Sequence, residues 1–276
     1  MIKFMHNIRY SHNLLIFLFF IFNLLTCSSH ASPFDLSFTD HDQIENFITK
    51  QTRLIAKHSN ESKSAAHLLQ RGDAYFLLNK FDKAVDDYTK ALTLDSNQIE
   101  AHFGRGLALA RSGWIEEGIV ELTLYINKNP NSSAAYTKRG VRRLWLGEQD
   151  AAQKDFERAL EIDPGNAEAH DDLGVIFSRK QQYYQAADHF ISAIEFDPTY
   201  QKAYHNLALI SYLTGKDELA LQFVDTAVEL NAFARDSLLL KSQILAALGY
   251  TKASEEAKEE AAFLPEGNWS ELVPIQ

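Results

Sequence analysis

Thr137, Asp171 and His205 are a hydroxyl, an acid and a base, each 34 residues after the one before. These are the residue types of nucleophilic catalysis, in which a base draws the proton from a hydroxyl and an acid orients the base. Such a set works only with contacts of about 2.6–3.2 Å between its members. Even spacing argues against that, because it puts the three on equivalent places of successive units and not around one point. His102 and His170 lie two such units apart. That is too far to hold one metal ion across helices packed about 8–10 Å apart. No P-loop, Gly-rich phosphate cradle or His-Glu-x-x-His sequence occurs. The expectation is a protein that is not an enzyme, with no metal and no cofactor.

The 34-residue interval runs through most of the chain. Gly72, Gly106, Gly140, Gly174, Ala208 and Ser242 form one column of small residues. Ala84, Gly118, Ala152, Ala186, Ala220 and Ser254 form a second, and Ala91, Tyr125, Ala159, Ala193, Ala227 and Ala261 a third. Large residues stand between them: Tyr88, Leu122, Phe156, Phe190 and Val224. A turn column reads Ser96, Pro130, Pro164, Pro198 and Ala232. At Asp163-Pro164-Gly165-Asn166 one helical pattern stops and another begins at once. Pro cannot continue a helix interior, and Gly and Asn tolerate a left-handed helix end. Each unit therefore reads as two amphipathic helices, whose small columns admit close approach while the large column fills the grooves. One pair cannot bury its own apolar face, so neighbours must stack.

The stretches "AAHLLQRGDAYFLLNKFDKAVDDYTKALTLDSN" (65–97) and "SAAYTKRGVRRLWLGEQDAAQKDFERALEIDPGN" (133–166) resemble tetratricopeptide (TPR) repeats. The resemblance implies an all-α fold, a right-handed superhelix of five to six helix–turn–helix repeats. Repeats are expected at 65–98, 99–132, 133–166, 167–200 and 201–234, with a degenerate sixth at 235–265. Residues 32–64 carry an N-terminal capping helix over 40–58, with Ile44, Phe47, Ile48, Leu54 and Ile55 on one face after a Thr39-x-x-Asp42 start signal. The polar helix "TKASEEAKEEAAFL" suits the opposite end, and 266–276 is a short tail that Trp269 and Leu272 could hold against the last helix.

In proteins similar to this one, the second, fifth, ninth, twelfth and thirteenth places of each repeat face a concave groove. By that rule the groove holds Leu69, Asp73 and Phe76, then Phe103, Leu107 and Arg111, then Thr137, Val141 and Trp145. It continues with Asp171, Val175 and Arg179, then His205, Leu209 and Tyr212. Phe76, Phe103, Trp145 and Tyr212 are the candidate anchors for a partner segment, since desolvated aromatic groups dominate binding energy. The alternative is that some of them pack against a neighbouring helix or under the cap. The carboxylate-clamp subfamily places Lys, Asn and Arg at fixed groove positions; here those places hold Leu69, Asp73, Phe103, Leu107, Thr137 and Val141, so clamp function is not expected. The run "KRGVRR" offers Lys138, Arg139, Arg142 and Arg143 to an acidic ligand. The competing reading pairs them with acids of adjacent helices, such as Asp172 and Glu168.

The first 31 residues read as a signal peptide. Lys3 and Arg9 precede an apolar run at 14–25, and small residues follow. Twelve helical residues span only about 18 Å, short of the ~30 Å hydrocarbon core of a bilayer. Cleavage after Ser29-His30-Ala31 is the preferred exit. Leu24-Leu25-Thr26-Cys27 resembles a lipobox, apart from Thr26 where Gly or Ala is usual, and would acylate Cys27 and tether the protein to a membrane. Cys27 is the chain's single cysteine, so the folded part holds no disulfide. The part beyond the signal has 25 basic against 37 acidic residues and no basic stripe, which excludes nucleic acid as a first guess. The expected role is a non-catalytic scaffold that binds another protein of the envelope or secretory compartment. The alternative is a structural homo-oligomer, with the groove or an end filled by another copy.

Overall fold

The computed structural model describes residues 40–58 and 62–264, and these contain thirteen α-helices and no strand. The leader with Cys27, the start signal at Thr39 and the tail with Trp269 and Leu272 lie outside the described residues. Helix α1 (His41–Lys57) precedes six pairs: α2 (Lys63–Leu77) with α3 (Phe81–Leu94), α4 (Ile99–Arg111) with α5 (Ile115–Lys128), and α6 (Ser133–Trp145) with α7 (Gln149–Ile162). Then come α8 (Ala167–Arg179) with α9 (Tyr183–Phe196), α10 (Gln201–Leu213) with α11 (Asp217–Leu230), and α12 (Arg235–Ala247) with α13 (Thr251–Ala262). Each helix packs on its neighbours in sequence, and the first helix of every pair also touches the first helix of the next.

Each start and stop has a local cause. Side-chain caps open α1, α6 and α8: Asp40 accepts from the Gln43 N–H at 2.8 Å, Ser132 from Ala135 and Asn166 from Ala169. Within each pair the chain reverses through one left-handed residue. These are Asn79, Gly113, Gly147, Gln181, Gly215 and Gly249, again at intervals of 34. Gln181 has φ 59°, where a side chain is strained and the glycine of four other turns is not; Asn79, at φ 55°, is of a type that tolerates this region.

The small and large columns meet as size-matched partners. A Cβ on Gly72 would lie 2.7 Å from the Tyr88 ring, one on Gly140 2.6 Å from Phe156, and one on Gly174 2.5 Å from Phe190. In the fifth pair the partners are Ala208 and Val224, both fully buried, so a larger small residue faces a smaller large one. In the sixth pair the large column holds Lys258, whose side chain is exposed. A further repeat would have to bury that ammonium, so the stack presents a polar end. Ser254 there donates to the Ser242 carbonyl at 2.9 Å. At the other end, α1 buries Ile44 and Ile48 against Ala74, with Phe47 and Tyr75 packed around them.

Candidate partner-binding groove

The expected groove residues divide into two sets. Phe76, Phe103 and Leu107 are 2–3% exposed and belong to the core, which corrects their expected place on the groove surface. Phe76 meets Phe81 edge to face at 5.3 Å, and Phe103 meets Tyr125 at 5.2 Å. The physical reason is the close approach within each pair, which turns these rings into the space between the two helices. Asp171 is also buried, and accepts a hydrogen bond from Nδ2 of Asn206 at 2.8 Å. Burial pushes its pKa up to about 6.

The second set stays near water. Trp145 is 41% exposed at the end of α6, Val141 and Tyr212 are half-buried, and Leu213 is exposed. Val175 and Leu209 are half-buried on the intervening helices α8 and α10. Beneath Trp145 the Arg142 guanidinium lies 4.7 Å from the ring centre, with Arg142 itself 0% exposed. The indole thus rests on a fixed cation and is held as a rigid exposed surface. His205 is half-buried with Nδ1 3.1 Å from the Ser237 hydroxyl, and desolvation pushes its pKa down to about 4.

The basic run is occupied. Both Glu168 carboxylate oxygens lie 2.8 Å from Lys138 Nζ. Arg139 grips Asp155 with two bonds of 3.0 and 2.7 Å, and Arg143 adds a third at 2.8 Å. With Arg142 buried and the other three paired, the run follows the reading that joins it to acids of adjacent helices, not the acidic-ligand patch. The acids that take Lys138, Arg139 and Arg143 are Glu168 and Asp155. Asp172, the other acid expected to serve, has a buried Oδ2 without a hydrogen-bond partner, and burial together with Glu168 and Asp171 holds its pKa well above the usual carboxylate range.

Arg139 and Asp155 belong to a ladder that sequence reading missed. Arg71 pairs with Asp87 and Arg105 with Glu121, at 2.6–2.7 Å, always between the two helices of one repeat. Thr52, Thr89 and Thr123, each on the preceding helix, accept from the same three guanidinium groups. The signal was available: Arg71, Arg105 and Arg139 share one 34-residue column, and Asp87, Glu121 and Asp155 another.

The hydroxyl, acid and base at Thr137, Asp171 and His205 make their hydrogen bonds elsewhere. Thr137 donates to the Ser133 carbonyl at 3.1 Å and accepts from Asn166 at 3.0 Å, Asp171 takes Asn206, and His205 meets Ser237. Among the described residues no group of three metal-binding side chains occurs.

A family profile described as TPR repeat matches residues 72–113, and one described as tetratricopeptide repeat matches 145–166. The chain carries tetratricopeptide repeats. Human RNA polymerase II-associated protein 3 is 32% identical over 147 residues, which cover 49% of this chain and 21% of that protein. The first three curated relatives are each covered to only 17–26% of their length. Among solved structures, a TPR protein from Parabacteroides merdae superposes with a TM-score of 0.66 at 17% identity, over 82% of this chain and 92% of that one. A chain of the APC/C hetero-tetramer Cut9–Hcn1 superposes with a TM-score of 0.73 at 15% identity, over 82% of this chain and 44% of that one. At these identities the structures establish the TPR superhelix alone.

Proposed function

We propose that this TPR protein is a non-catalytic adaptor whose inner helices hold an apolar segment of a partner protein across the third to fifth repeats. The observation that carries the reading is Trp145, an indole left 41% exposed and backed by the buried Arg142. Val141, Val175, Leu209 and Tyr212 continue the apolar surface on the first helices of the same repeats. An exposed aromatic group held rigid by its support loses little freedom on binding, which is what makes such residues anchors. Clamp-type binding of a chain-terminal carboxylate is disfavoured. Lys138 and Asn206, the two residues of suitable type, are bonded to Glu168 and Asp171.

Trp145→Ala and Tyr212→Ala, alone and combined, test the reading in affinity capture from a native extract. Capture is expected to fall in each variant and vanish in the pair, with helicity by circular dichroism unchanged. Undiminished capture by a folded double variant refutes the groove.

The compartment is part of the same proposal. The basic start and apolar run at 14–25 support export, with cleavage after Ala31 or acylation at Cys27. Among the described residues no helix is long and apolar enough to cross a membrane. The mass of the processed N-terminus decides between the exits, and an intact leader on the native protein refutes export.

A further inference from the structure

Repeat 4 replaces a polar joint found in repeat 2 with two imidazoles. In repeat 2, His102 Nδ1 lies 2.8 Å from Glu121 Oε2, and Arg105 binds the same carboxylate. Two repeats later the equivalent places hold His170, His189 and Leu173. His170 Nδ1 and His189 Nδ1 are 3.2 Å apart, and His170 Nε2 is 3.1 Å from the Pro164 carbonyl. Phe196 stacks on His170 at 5.7 Å and Phe177 on His189 at 5.2 Å.

The protons can be placed by elimination. A carbonyl only accepts, so His170 Nε2 carries hydrogen and, in the neutral ring, its Nδ1 is a lone pair. His189 Nδ1–H then donates to it. The ring centres are 5.5 Å apart, close to the greatest separation that a 3.2 Å nitrogen contact allows. The two nitrogen axes are therefore nearly in line, as in an N–H···N bond, and do not converge as two ligands of a tetrahedral ion would.

We propose that His170 and His189 form an acid-sensitive joint within repeat 4, tied to the turn of repeat 3 through Pro164, closed when the pair is neutral and opened on mild acidification. The first added proton goes to His189 Nε2 and leaves both hydrogen bonds in place. A second would have to sit on His170 Nδ1, facing the N–H of His189 and setting two imidazolium ions against each other. The contact cannot survive that step. His170 then leaves Phe196 and the Pro164 turn, which loosens the middle of the stack.

The charged groups around the pair do not prevent this. Glu157 from α7 and Asp188 on α9 favour a proton on His189, and both are exposed. From α6, Lys138 is already closed on Glu168 of α8. On the far side of the repeat, α10 packs Ala203, Leu207 and Ile210 into the cluster that holds Phe190 and Phe177, and these are apolar. Desolvation lowers both histidine pKa values, as half-buried rings without a carboxylate partner require. Unfolding therefore takes up protons as pH falls below about 6.5, and stability drops over that range. This inference is independent of the partner groove.

The test uses the full chain, His189→Glu, which copies the His102–Glu121 pair, and His170→Gln, which cannot be protonated. Urea unfolding at pH 7.5 and 5.0 is combined with hydrogen exchange of residues 163–170, corrected for intrinsic rates. Between the two pH values the folding equilibrium constant of the unsubstituted protein is expected to fall several-fold more than that of either variant, because only the unsubstituted protein holds both desolvated rings. Protection of 163–170 should drop in the unsubstituted protein alone. Because each protein is its own reference, general destabilisation by a substitution does not mimic the effect. Equal pH losses in the unsubstituted protein and His170→Gln overturn the proposal, whether or not His189→Glu folds.

Discussion

The match between small and large columns can be tested at Gly174 and Phe190. Gly174 lies inside α8, and a Cβ there would be 2.5, 2.7 and 2.9 Å from three ring atoms of Phe190. Real Cβ contacts essentially never fall below 3.0 Å, and the ring, 1% exposed, has no room to retreat. Overpacking of this kind costs about 1–3 kcal/mol, and the better helix propensity of Ala returns roughly 0.5–1 kcal/mol. Gly174→Ala is therefore expected to destabilise by about 1–2 kcal/mol. Phe190→Val empties part of a buried site and should cost about 2–3 kcal/mol, below the 3–5 kcal/mol typical of Phe→Ala. The double variant recreates the Ala208–Val224 partners of the next repeat. Its methyl group no longer meets a ring and fills part of the space, so it should be no less stable than Phe190→Val alone. The coupling energy is then at least about 1 kcal/mol in favour of the pair. Urea unfolding of the four proteins in the cycle measures it. Additive costs, within ~0.5 kcal/mol, would refute size matching as the basis of the repeat packing.

Gln181→Gly should stabilise by about 1 kcal/mol, since a side chain at φ 59° carries a strain that glycine lacks; the thermal midpoint reports it. Asp155→Asn leaves Arg139 and Arg143 without their carboxylate in a nearly closed site, and a loss of about 3 kcal/mol in urea unfolding is expected. Asp171 and Asp73 have pKa values raised to about 6 and about 7, chiefly by burial. Both exceed the unfolded value near 3.8, so their contribution is complete below that pH and is lost as pH rises through 6–7. Asp171→Asn should flatten that part of the pH profile and raise stability at pH 8 relative to the unsubstituted chain.

The repeat was legible in the sequence because packing imposes it. A small residue recurs wherever the same two helices cross, and where it is a glycine facing an aromatic ring, as at Gly72, Gly140 and Gly174, it marks the crossing before any coordinates are known. The ladder of Arg71, Arg105 and Arg139 with its acids was legible by the same period. What period cannot give is direction. Phe103 and Trp145 are both aromatic residues at places assigned to the groove, yet one is 2% and the other 41% exposed. The difference arises from which ring finds a partner, Tyr125 for Phe103 and the flat guanidinium of Arg142 beneath Trp145, and this depends on two helices at once. For the KRGVRR run, pairing with acids of adjacent helices, Glu168 among them, was legible; that Asp155 and not Asp172 is the second acid depends on how the helices stack. His170 shares a column with His102, and its neighbour in space is His189, outside that column. The sequence by itself determined the repeating helix pair and its joints, through steric rules that act at each crossing. Tertiary structure alone decided which side chains remain for a partner, because exposure is the residue of all those contacts and no single helix encodes it.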